Sequence, residues 1–334
     1  MSLALKNKHS SSLLKLIDAR AQCYQTIRDF FRERSVREVE TPLLSRTTAL
    51  DCHLHSLATT ITHQGVHYLQ TSPELAMKKL LAAGSGAIFQ IGKAFRDEEA
   101  GSQHHPEFTM LEWYRPGMSF SELMTETSEL LQRLLPIKAI PTVSYRECFE
   151  KQFAVNPHAA DTKQLLTLIT QQTTLHQPET LTHADYLDAL ITLALNRYFE
   201  NQPALTSLIL YDYPIAQAAM STVEEVDGVA VCKRFEVYID GIEIANGYDE
   251  LIDPREQRLR FEKDLRERAQ RGLAQPPIDE ALLQVMQTPG LPAMTGIAMG
   301  LDRVLMLALQ IDHFDDLHLL NYLRPNSFLR ETVM

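Results

Sequence analysis

The chain has 334 residues, of which 45 % are hydrophobic, and its formal net charge is −11 at pH 7. This length is sufficient for one large domain, or for one domain with an inserted subdomain. The apolar runs are shorter than the roughly 18 residues that a membrane-spanning helix needs, so we expect no membrane segment. The acidic charge disfavours broad contact with nucleic acid and suits a basic protein partner.

The N-terminal residues and the cysteines predict a cytoplasmic protein. The first ten residues lack the apolar segment and the small-residue cleavage site of a secretory signal. The four cysteines are scattered without a Cys-x-x-Cys pair, which is typical of reduced thiols. Cysteine and histidine also cluster between residues 51 and 67, but their spacing differs from that of zinc fingers, so we expect no zinc site.

The N-terminal part of the chain predicts a long helix followed by short strands. Apolar residues recur at helical spacing over 13–34, and a short strand through Val36 and Val39 follows. Residues 57–62 and 67–71 predict two strands that enclose a turn.

The next helix begins near the segment Ser72-Pro-Glu. Ser72 is the predicted N-cap, with Pro73 in the first helical position. Glu74 then lies in the first turn, where the helix dipole favours an anion.

The middle of the chain predicts an antiparallel hairpin with strands over 87–98 and 107–115. Alternation places Arg96 and Glu98 on one face of the first strand. On the second strand, the residues that share a face are Phe108, Met110, Glu112 and Tyr114. An amphipathic helix over 119–135 follows.

Residues 136–205 predict a small helical insertion that carries no recognisable motif. Two segments, 161–170 and 183–198, have helical patterns and are separated by a loop rich in Gln and Thr. An apolar strand over 205–211 leads back into the main domain.

The stretch 234–250 is the most informative part of the sequence. β-Branched and aromatic residues predict two strands, and Asp240-Gly241 between them predicts a two-residue hairpin turn. In that register Tyr238 faces Glu243, and Glu236 lies diagonal to Glu243 on the same face, roughly 7–8 Å away. The two carboxylates are either exposed acids or ligands of a hard divalent cation such as Mg²⁺.

The C-terminal part predicts a helix over 253–271 with Asp253 as its N-cap and Gly272 as its stop. The segment Thr295-Gly-Ile-Ala-Met-Gly-Leu-Asp-Arg303 then predicts a glycine-bearing turn that runs into a helix over 301–309. Glycine allows close approach of a ligand to the backbone, and the start of a helix favours phosphate.

Three of these stretches together, 95–114, 234–250 and 295–303, resemble the signature motifs of class II aminoacyl-tRNA synthetases, closest to the lysyl branch. The resemblance covers about residues 13–309. It implies an α+β fold with a mostly antiparallel sheet flanked by helices, in a single catalytic domain over 1–334 without an N-terminal anticodon-binding domain. The helix over 13–34 and the strand after it resemble the motif that forms the dimer interface, so a homodimer is expected.

The resemblance implies ATP as a substrate and Mg²⁺ as a cofactor. Catalysis would rest on Arg96 at the α-phosphate and Arg303 at the γ-phosphate, with Phe108 under the adenine. The metal would lie on Glu236 and Glu243. The full set of implied nucleotide contacts is Arg96, Asp97, Glu98, His105, Phe108, Glu243, Ile244, Gly300 and Arg303.

The resemblance also implies a site for a diamino acid. In the lysyl branch the matching glutamate of the Ser-Pro-Glu segment receives an amine of the substrate. The implied substrate contacts are Ser72, Pro73, Glu74, Glu112, Tyr114, Asn246, Glu250 and Ala298. In strict alternation Asn246 and Glu250 have the opposite parity to Glu243, and a β-bulge near Gly247 would bring all of them to one pocket.

Three features resemble the stand-alone relatives of lysyl-tRNA synthetase that attach (R)-β-lysine to a lysine side chain of elongation factor P. These features are the position of the dimer-motif helix near residue 13, so that no anticodon-binding domain is expected before it, the acidic charge, and Ala298, where lysyl-tRNA synthetases carry glycine. The expected partners are therefore elongation factor P and β-lysine or lysine, whereas tRNA is not expected. Two alternatives stay open: a minimal tRNA-charging enzyme and a regulatory protein without catalytic activity.

Overall fold

The computed structural model describes residues 2–97, 101–173, 181–202 and 204–318, with side chains from residue 13 onward. The helices are α1 (Ser2–Glu33), α2 (Glu74–Ala82), α3 (Phe120–Leu134), α4 (Tyr145–Phe153), α5 (Thr162–Gln172), α6 (His183–Glu200), α7 (Pro254–Gln270), α8 (Glu280–Val285) and α9 (Leu301–Leu309). The strands are β1 (Arg37–Glu38), β2 (Leu44–Ser45), β3 (Ala58–Ile61), β4 (Gly65–Leu69), β5 (Ile88–Phe95), β6 (Glu107–Pro116), β7 (Thr142–Ser144), β8 (Ser207–Pro214), β9 (Val223–Val226), β10 (Val229–Ile239), β11 (Ile242–Asp249) and β12 (Met294–Gly300). Among these helices, none combines the length and apolar character that crossing a bilayer would require.

A mostly antiparallel sheet forms the centre of the molecule. Within the described ranges it has nine strands in the order β1-β5-β6-β12-β11-β10-β8-β7, with β9 paired to β10. Only the outer pairs β1–β5 and β7–β8 are parallel. A small antiparallel sheet of order β2-β4-β3 lies beside it. This architecture is the predicted α+β class.

Alternation along the central strands separates the core from an open face. Leu111, Trp113, Phe235 and Ile297 belong to one buried cluster with apolar residues of α1, α3 and α9. Their neighbours of opposite parity, such as Glu112, project from the other face. The polar residues of the strands are therefore collected on one side of the sheet.

The hairpin between β10 and β11 has the predicted turn. Asp240 and Gly241 both adopt left-handed backbone, with φ of 50° and 77°, which is what a two-residue hairpin of this type requires. The predicted pairing of Tyr238 with Glu243 is confirmed.

The predicted bulge is present in this hairpin, but the structure corrects its position. Val237 pairs with Ala245 while the next residue of β10 pairs with Glu243, so Ile244 is the extra residue. Gly247 has a different role: a Cβ there would lie 2.5 Å from the Phe235 ring. Glycine at this position lets the two strands pack over an aromatic side chain.

The glycine-bearing segment before α9 is a strand and not the predicted turn. Strand β12 lies between β6 and β11, in the middle of the sheet. A Cβ at Gly296 would lie 2.4 Å from the Glu250 carboxylate and from the Tyr114 ring. Glycine therefore makes room for side chains of both neighbouring strands.

Two helix starts show how well local signals fix boundaries. Helix α2 begins at Glu74, one residue later than predicted, with Pro73 just before it. The Ser72 hydroxyl still accepts a hydrogen bond from the Glu74 N–H, at 3.0 Å. Helix α7 begins at Pro254 as predicted, and the Asp253 side chain caps its first N–H groups.

The segment 136–205 contains more than the two predicted helices. Helices α5 and α6 correspond to them, whereas α4 and β7 were not predicted. Tyr145, Phe149 and Leu187 form a second buried cluster with residues of β8. Strand β7 extends the central sheet through β8, which joins this segment to the main domain. The Gln/Thr-rich loop lies largely outside the described residues.

Candidate active site

A cavity of about 450 Å³ opens on the polar face of the sheet, over β6, β10, β11 and β12. It collects most of the predicted site residues, namely Ser72, Glu74, Arg96, His105, Phe108, Glu112, Tyr114, Glu236, Glu243, Ile244, Asn246, Glu250, Ala298, Gly300 and Arg303. Pro73 and Asp97 are next to lining residues in the chain. Glu98 lies outside the described residues.

One end of the cavity is acidic and is built around Glu112. Its carboxylate accepts hydrogen bonds from the Ser72 hydroxyl and from the Tyr114 hydroxyl, both at 2.6 Å. Glu112 is only 2 % exposed. Burial, and then the Glu74 carboxylate, raise the pKa of Glu112 to about 7, because both disfavour its ionised form.

Glu250 adds a second buried carboxylate to the acidic end. It lies at the end of β11, where the Ile244 bulge brings it to the same face as Glu243. The Lys78 ammonium contacts the carboxylates of Glu250 at 2.6 Å and Glu74 at 2.7 Å. Burial raises the pKa of Glu250 to about 8, although Lys78 opposes this shift.

The other end of the cavity is cationic. The Arg96 guanidinium lies over the Phe108 ring, 5.2 Å from its centroid, and the resemblance predicted these two residues as neighbours around a nucleotide. Arg303 donates a hydrogen bond to the Glu243 backbone carbonyl at 2.8 Å and is held in place by it. Guanidinium groups at these positions suit phosphate oxygens.

Glu236 and Glu243 lie on the same face, as the hairpin register predicts. Glu236 is paired with Arg234 and accepts a hydrogen bond from the Tyr213 hydroxyl at 2.6 Å. Burial and the Glu236 carboxylate raise the pKa of Glu243 to about 7. The Glu243 carboxylate fits a divalent cation with oxygen ligands, provided that Glu236 exchanges part of its present contacts.

Asn246 and Ala298 occupy the floor between the two ends. They pair directly across β11 and β12, and Ala298 also pairs with Glu112 across β12 and β6. The Asn246 amide donates to the Tyr248 hydroxyl at 2.9 Å. A side chain larger than alanine at position 298 would therefore enter the cavity beside the acidic end.

Two cations near the site were missed in the sequence. Lys78 follows Glu74 by four residues in α2, a helical pair spacing that was a usable signal. Arg234 precedes Glu236 by two residues in β10 and donates to the side-chain amide oxygen of Asn246 at 3.3 Å. Strand alternation alone would have placed it on the site face. The rings of His105 and Phe314 stack with their centroids 5.5 Å apart. No sequence pattern near either residue indicated this contact.

A larger cavity of about 820 Å³ adjoins the site beside α2 and α7. Ser72, Glu74, Arg234 and Tyr248 are among the residues that line both cavities. The paired acidic and cationic ends belong to the smaller cavity, so charge and not size identifies the candidate active site.

Among the described residues, Asp51, Cys52 and His53 are the one group of three potential metal ligands that lie close together, within 4.8 Å. Burial raises the pKa of the Cys52 thiol to about 11. Zinc binds the thiolate, so a metal at this group would have to displace the thiol proton.

Comparison with known proteins gives one consistent answer. Residues 2–320 match the family described as tRNA synthetases class II (D, K and N). The chain is 41 % identical over 313 residues to an elongation factor P–(R)-β-lysine ligase of Proteus mirabilis, covering 92 % of this chain and 94 % of the relative. Proteins of the same name from Klebsiella pneumoniae and Yersinia pestis are 43 % and 42 % identical, over 87 % and 89 % of this chain and 90 % and 92 % of the relatives. With its fold, its polar sheet face and these matches, the chain belongs to the class II tRNA synthetase family.

Proposed function

We propose that this protein is an ATP-dependent ligase that activates (R)-β-lysine, or lysine, as an adenylate and transfers it to a lysine side chain of elongation factor P. The observation that carries the proposal is the polarity of the cavity. Two buried carboxylates, Glu112 and Glu250, lie at one end, and two guanidinium groups, Arg96 and Arg303, lie at the other. The names of the relatives supply the acceptor and the isomer.

The acidic end suits the side-chain ammonium of a diamino acid. A desolvated ammonium needs opposite charge and hydrogen-bond acceptors, and Glu112, Glu250 and the Tyr114 hydroxyl supply them. The substrate carboxylate would then point along the floor, past Ala298, toward the cationic end. Binding at one end therefore positions the reacting group at the other.

In the first half-reaction the substrate carboxylate attacks the α-phosphorus of ATP, and the bond to pyrophosphate breaks. The attacking oxygen is already anionic, so no general base is required. Arg96 and Arg303 would neutralise charge that develops on the phosphate oxygens. A divalent cation held by Glu236 and Glu243 would supply further charge neutralisation.

In the second half-reaction the neutral amine of the acceptor lysine attacks the carbonyl carbon of the adenylate. An amide bond forms, AMP leaves with the electron pair of the broken mixed-anhydride bond, and the amine releases a proton.

We also propose that the protein acts as a cytoplasmic homodimer. Leu14 and Ile17 of α1 are 57 % and 40 % exposed in the single chain, which suits burial against a second copy.

The test separates the two half-reactions. Pyrophosphate exchange is measured with (R)-β-lysine, α-lysine and ornithine, and labelled substrate is then offered to purified elongation factor P or to bulk tRNA. We expect exchange with β-lysine and label on elongation factor P. Elongation factor P with methylated lysines is the matched control and should stay unlabelled. Absence of exchange would favour a regulatory protein, and label on tRNA alone would favour a tRNA-charging enzyme.

A further inference from the structure

Lys78 is a fully buried cation directly behind the acidic end of the candidate site. Its side chain is 0 % exposed, and its ammonium bridges the carboxylates of Glu74 and Glu250. The bridge joins α2 to the residue that follows β11, and the bridged residues Lys78 and Glu250 are 172 positions apart in the sequence. Lys78 therefore fixes the distance between two carboxylates that both line the cavity.

The charge of Lys78 is maintained by these carboxylates. Burial lowers its pKa, but Glu250 and Glu74 outweigh burial and hold the pKa above the usual value, so the ammonium is charged at neutral pH. With Glu112, the described part of the acidic end holds three carboxylates and one internal cation. Full ionisation would leave two excess negative charges, and the ammonium of a bound diamino acid would compensate one of them.

We propose that Lys78 is a positioning residue for the diamino substrate, because its buried ammonium clamps Glu74 and Glu250 so that the Glu250 carboxylate faces the substrate's ammonium in a fixed orientation. This inference rests on the proposed function and extends it. Lys78 acts through the two carboxylates and does not itself contact the reacting atoms.

The structure distinguishes this role from that of an ordinary ion pair. A buried ion pair contributes little to stability compared with apolar packing of the same volume. Here both anionic partners line the cavity, and Gly296 leaves space for the second oxygen of Glu250. The pair is thus placed where carboxylate orientation affects ligand binding.

The test compares Lys78→Met with Lys79→Met in pyrophosphate exchange. Lys79 is the next residue of α2 and pairs with Asp279 at 2.6 Å, so its substitution also removes one lysine ion pair from the same helix. For Lys78→Met we expect KM for the diamino substrate to rise roughly 100-fold, the scale expected when a binding group is misplaced. KM for ATP should stay within about twofold of wild type for both variants, because neither substitution changes the end of the cavity that would bind the nucleotide.

A pH profile provides the second measurement. The titratable and charged groups that face Glu250 are Lys78 and Glu74 on α2, Glu112 and Tyr114 on β6, and Tyr248 on β11. Loss of the Lys78 cation favours the protonated form of Glu250, so the acid limb of kcat/KM should move to higher pH. If Lys78 only stabilises the fold, Lys78→Met should lower the midpoint of thermal unfolding and leave the acid limb of kcat/KM at its wild-type pH.

Lys78→Arg keeps the positive charge and decides the matter if Lys78→Met does not fold. The clamp then predicts a raised KM for the diamino substrate, an unchanged acid limb and an unchanged KM for ATP. Equal KM values for wild type and variant, or equal effects on both substrates, would overturn the inference. Wild-type protein that exchanges with no diamino acid would instead overturn the proposed function.

Discussion

At the scale of single residues, the site is governed by carboxylates that are buried close together. Glu112, Glu243 and Glu250 all have raised pKa values, and burial is the largest cause for each. Such groups hold charge that a cationic ligand relieves. Glu112 and Glu250 lie at the acidic end and Glu243 lies at the cationic end. Under the proposed function, the first two carboxylates would bind an ammonium and the third would bind a metal.

The substitution Glu243→Gln should lower pyrophosphate exchange by about 100-fold or more, since one metal-ligand charge supplies several kcal/mol of transition-state stabilisation. The fold should be intact, because Gln has the same shape. Glu225→Gln on β9, an exposed acid, is the matched control and should exchange normally. Near-normal exchange in Glu243→Gln would rule out its role as a metal ligand.

The substitution Ala298→Gly tests the floor of the cavity. The α-carbon of β-lysine carries only hydrogen, so the Ala298 methyl group would crowd the amine of α-lysine alone. Discrimination by one methyl group is worth about 1–3 kcal/mol, or roughly 10- to 200-fold. We expect Ala298→Gly to improve the use of α-lysine relative to β-lysine by that range. An unchanged ratio of kcat/KM values would show that Ala298 only packs beneath the site.

The acidic end predicts the pH dependence of substrate binding. The pKa is raised to about 7 for Glu112 and to about 8 for Glu250. An ammonium binds the ionised carboxylates, so protons must leave as the diamino substrate binds at lower pH. KM for this substrate should therefore rise as pH falls from 8 to 6, by up to about tenfold per pH unit for each proton released. A flat profile that matches that of ATP would contradict this reading.

At the scale of elements, distant segments are connected by a few polar contacts around the sheet. Asp302, in the first turn of α9, accepts the Thr109 N–H of β6 at 2.5 Å and pairs with Arg20 of α1 at 2.9 Å. It therefore links the cationic end to the helix predicted for dimerisation. Strand β12 lies between β6 and β11. It carries glycine at position 296, which leaves room for side chains from both sides to meet above it.

The substitution Gly296→Ala tests this requirement of β12. Its Cβ would collide with Tyr114 and Glu250 at 2.4 Å, so we expect a loss of about 1–3 kcal/mol of stability and a raised KM for the diamino substrate. On the same strand a Cβ at Gly300 meets its closest atoms at 3.8 Å, so Gly300→Ala should melt at the wild-type temperature. Equal melting temperatures for the two variants would show that the strand adjusts at position 296.

At the scale of the whole molecule, one face of the sheet packs into the hydrophobic core, and the other face carries the polar residues of the candidate active site. The core face carries α1, α3 and α9, and the polar face is flanked by α2, α7 and α8 on one side. The segment with α4, α5 and α6 has its own buried cluster on β8. Helix α1 therefore packs against the core and also carries the exposed apolar residues Leu14 and Ile17.

A charge at position 17 tests the proposed dimer. Ile17→Glu should convert the protein to a monomer at micromolar concentration, because an interface core does not accommodate an unpaired carboxylate. Leu259→Glu is the matched control: Leu259 is 59 % exposed on α7, and its substitution should leave the dimer intact. Light scattering checks both variants. A wild-type monomer would contradict the assignment of α1 to the interface.

The sequence by itself determined features that depend on neighbours along the chain. The turn at Asp240-Gly241, the cap at Asp253 and the alternation that gathers Glu112 with Tyr114 follow from local backbone chemistry. The polar face, and the resemblance to class II synthetases, could therefore be recognised before the fold was known.

Only the tertiary structure decided features that depend on strands and helices far apart in sequence. The bulge lies at Ile244 and not near Gly247, because strand pairing on both sides of β11 fixes its register. Glycine is needed at position 296 because the side chains of Tyr114 and Glu250 lie where a Cβ would be. Lys78 reaches Glu250 across 172 residues of chain, and no local rule specifies which distant charge a buried lysine will meet.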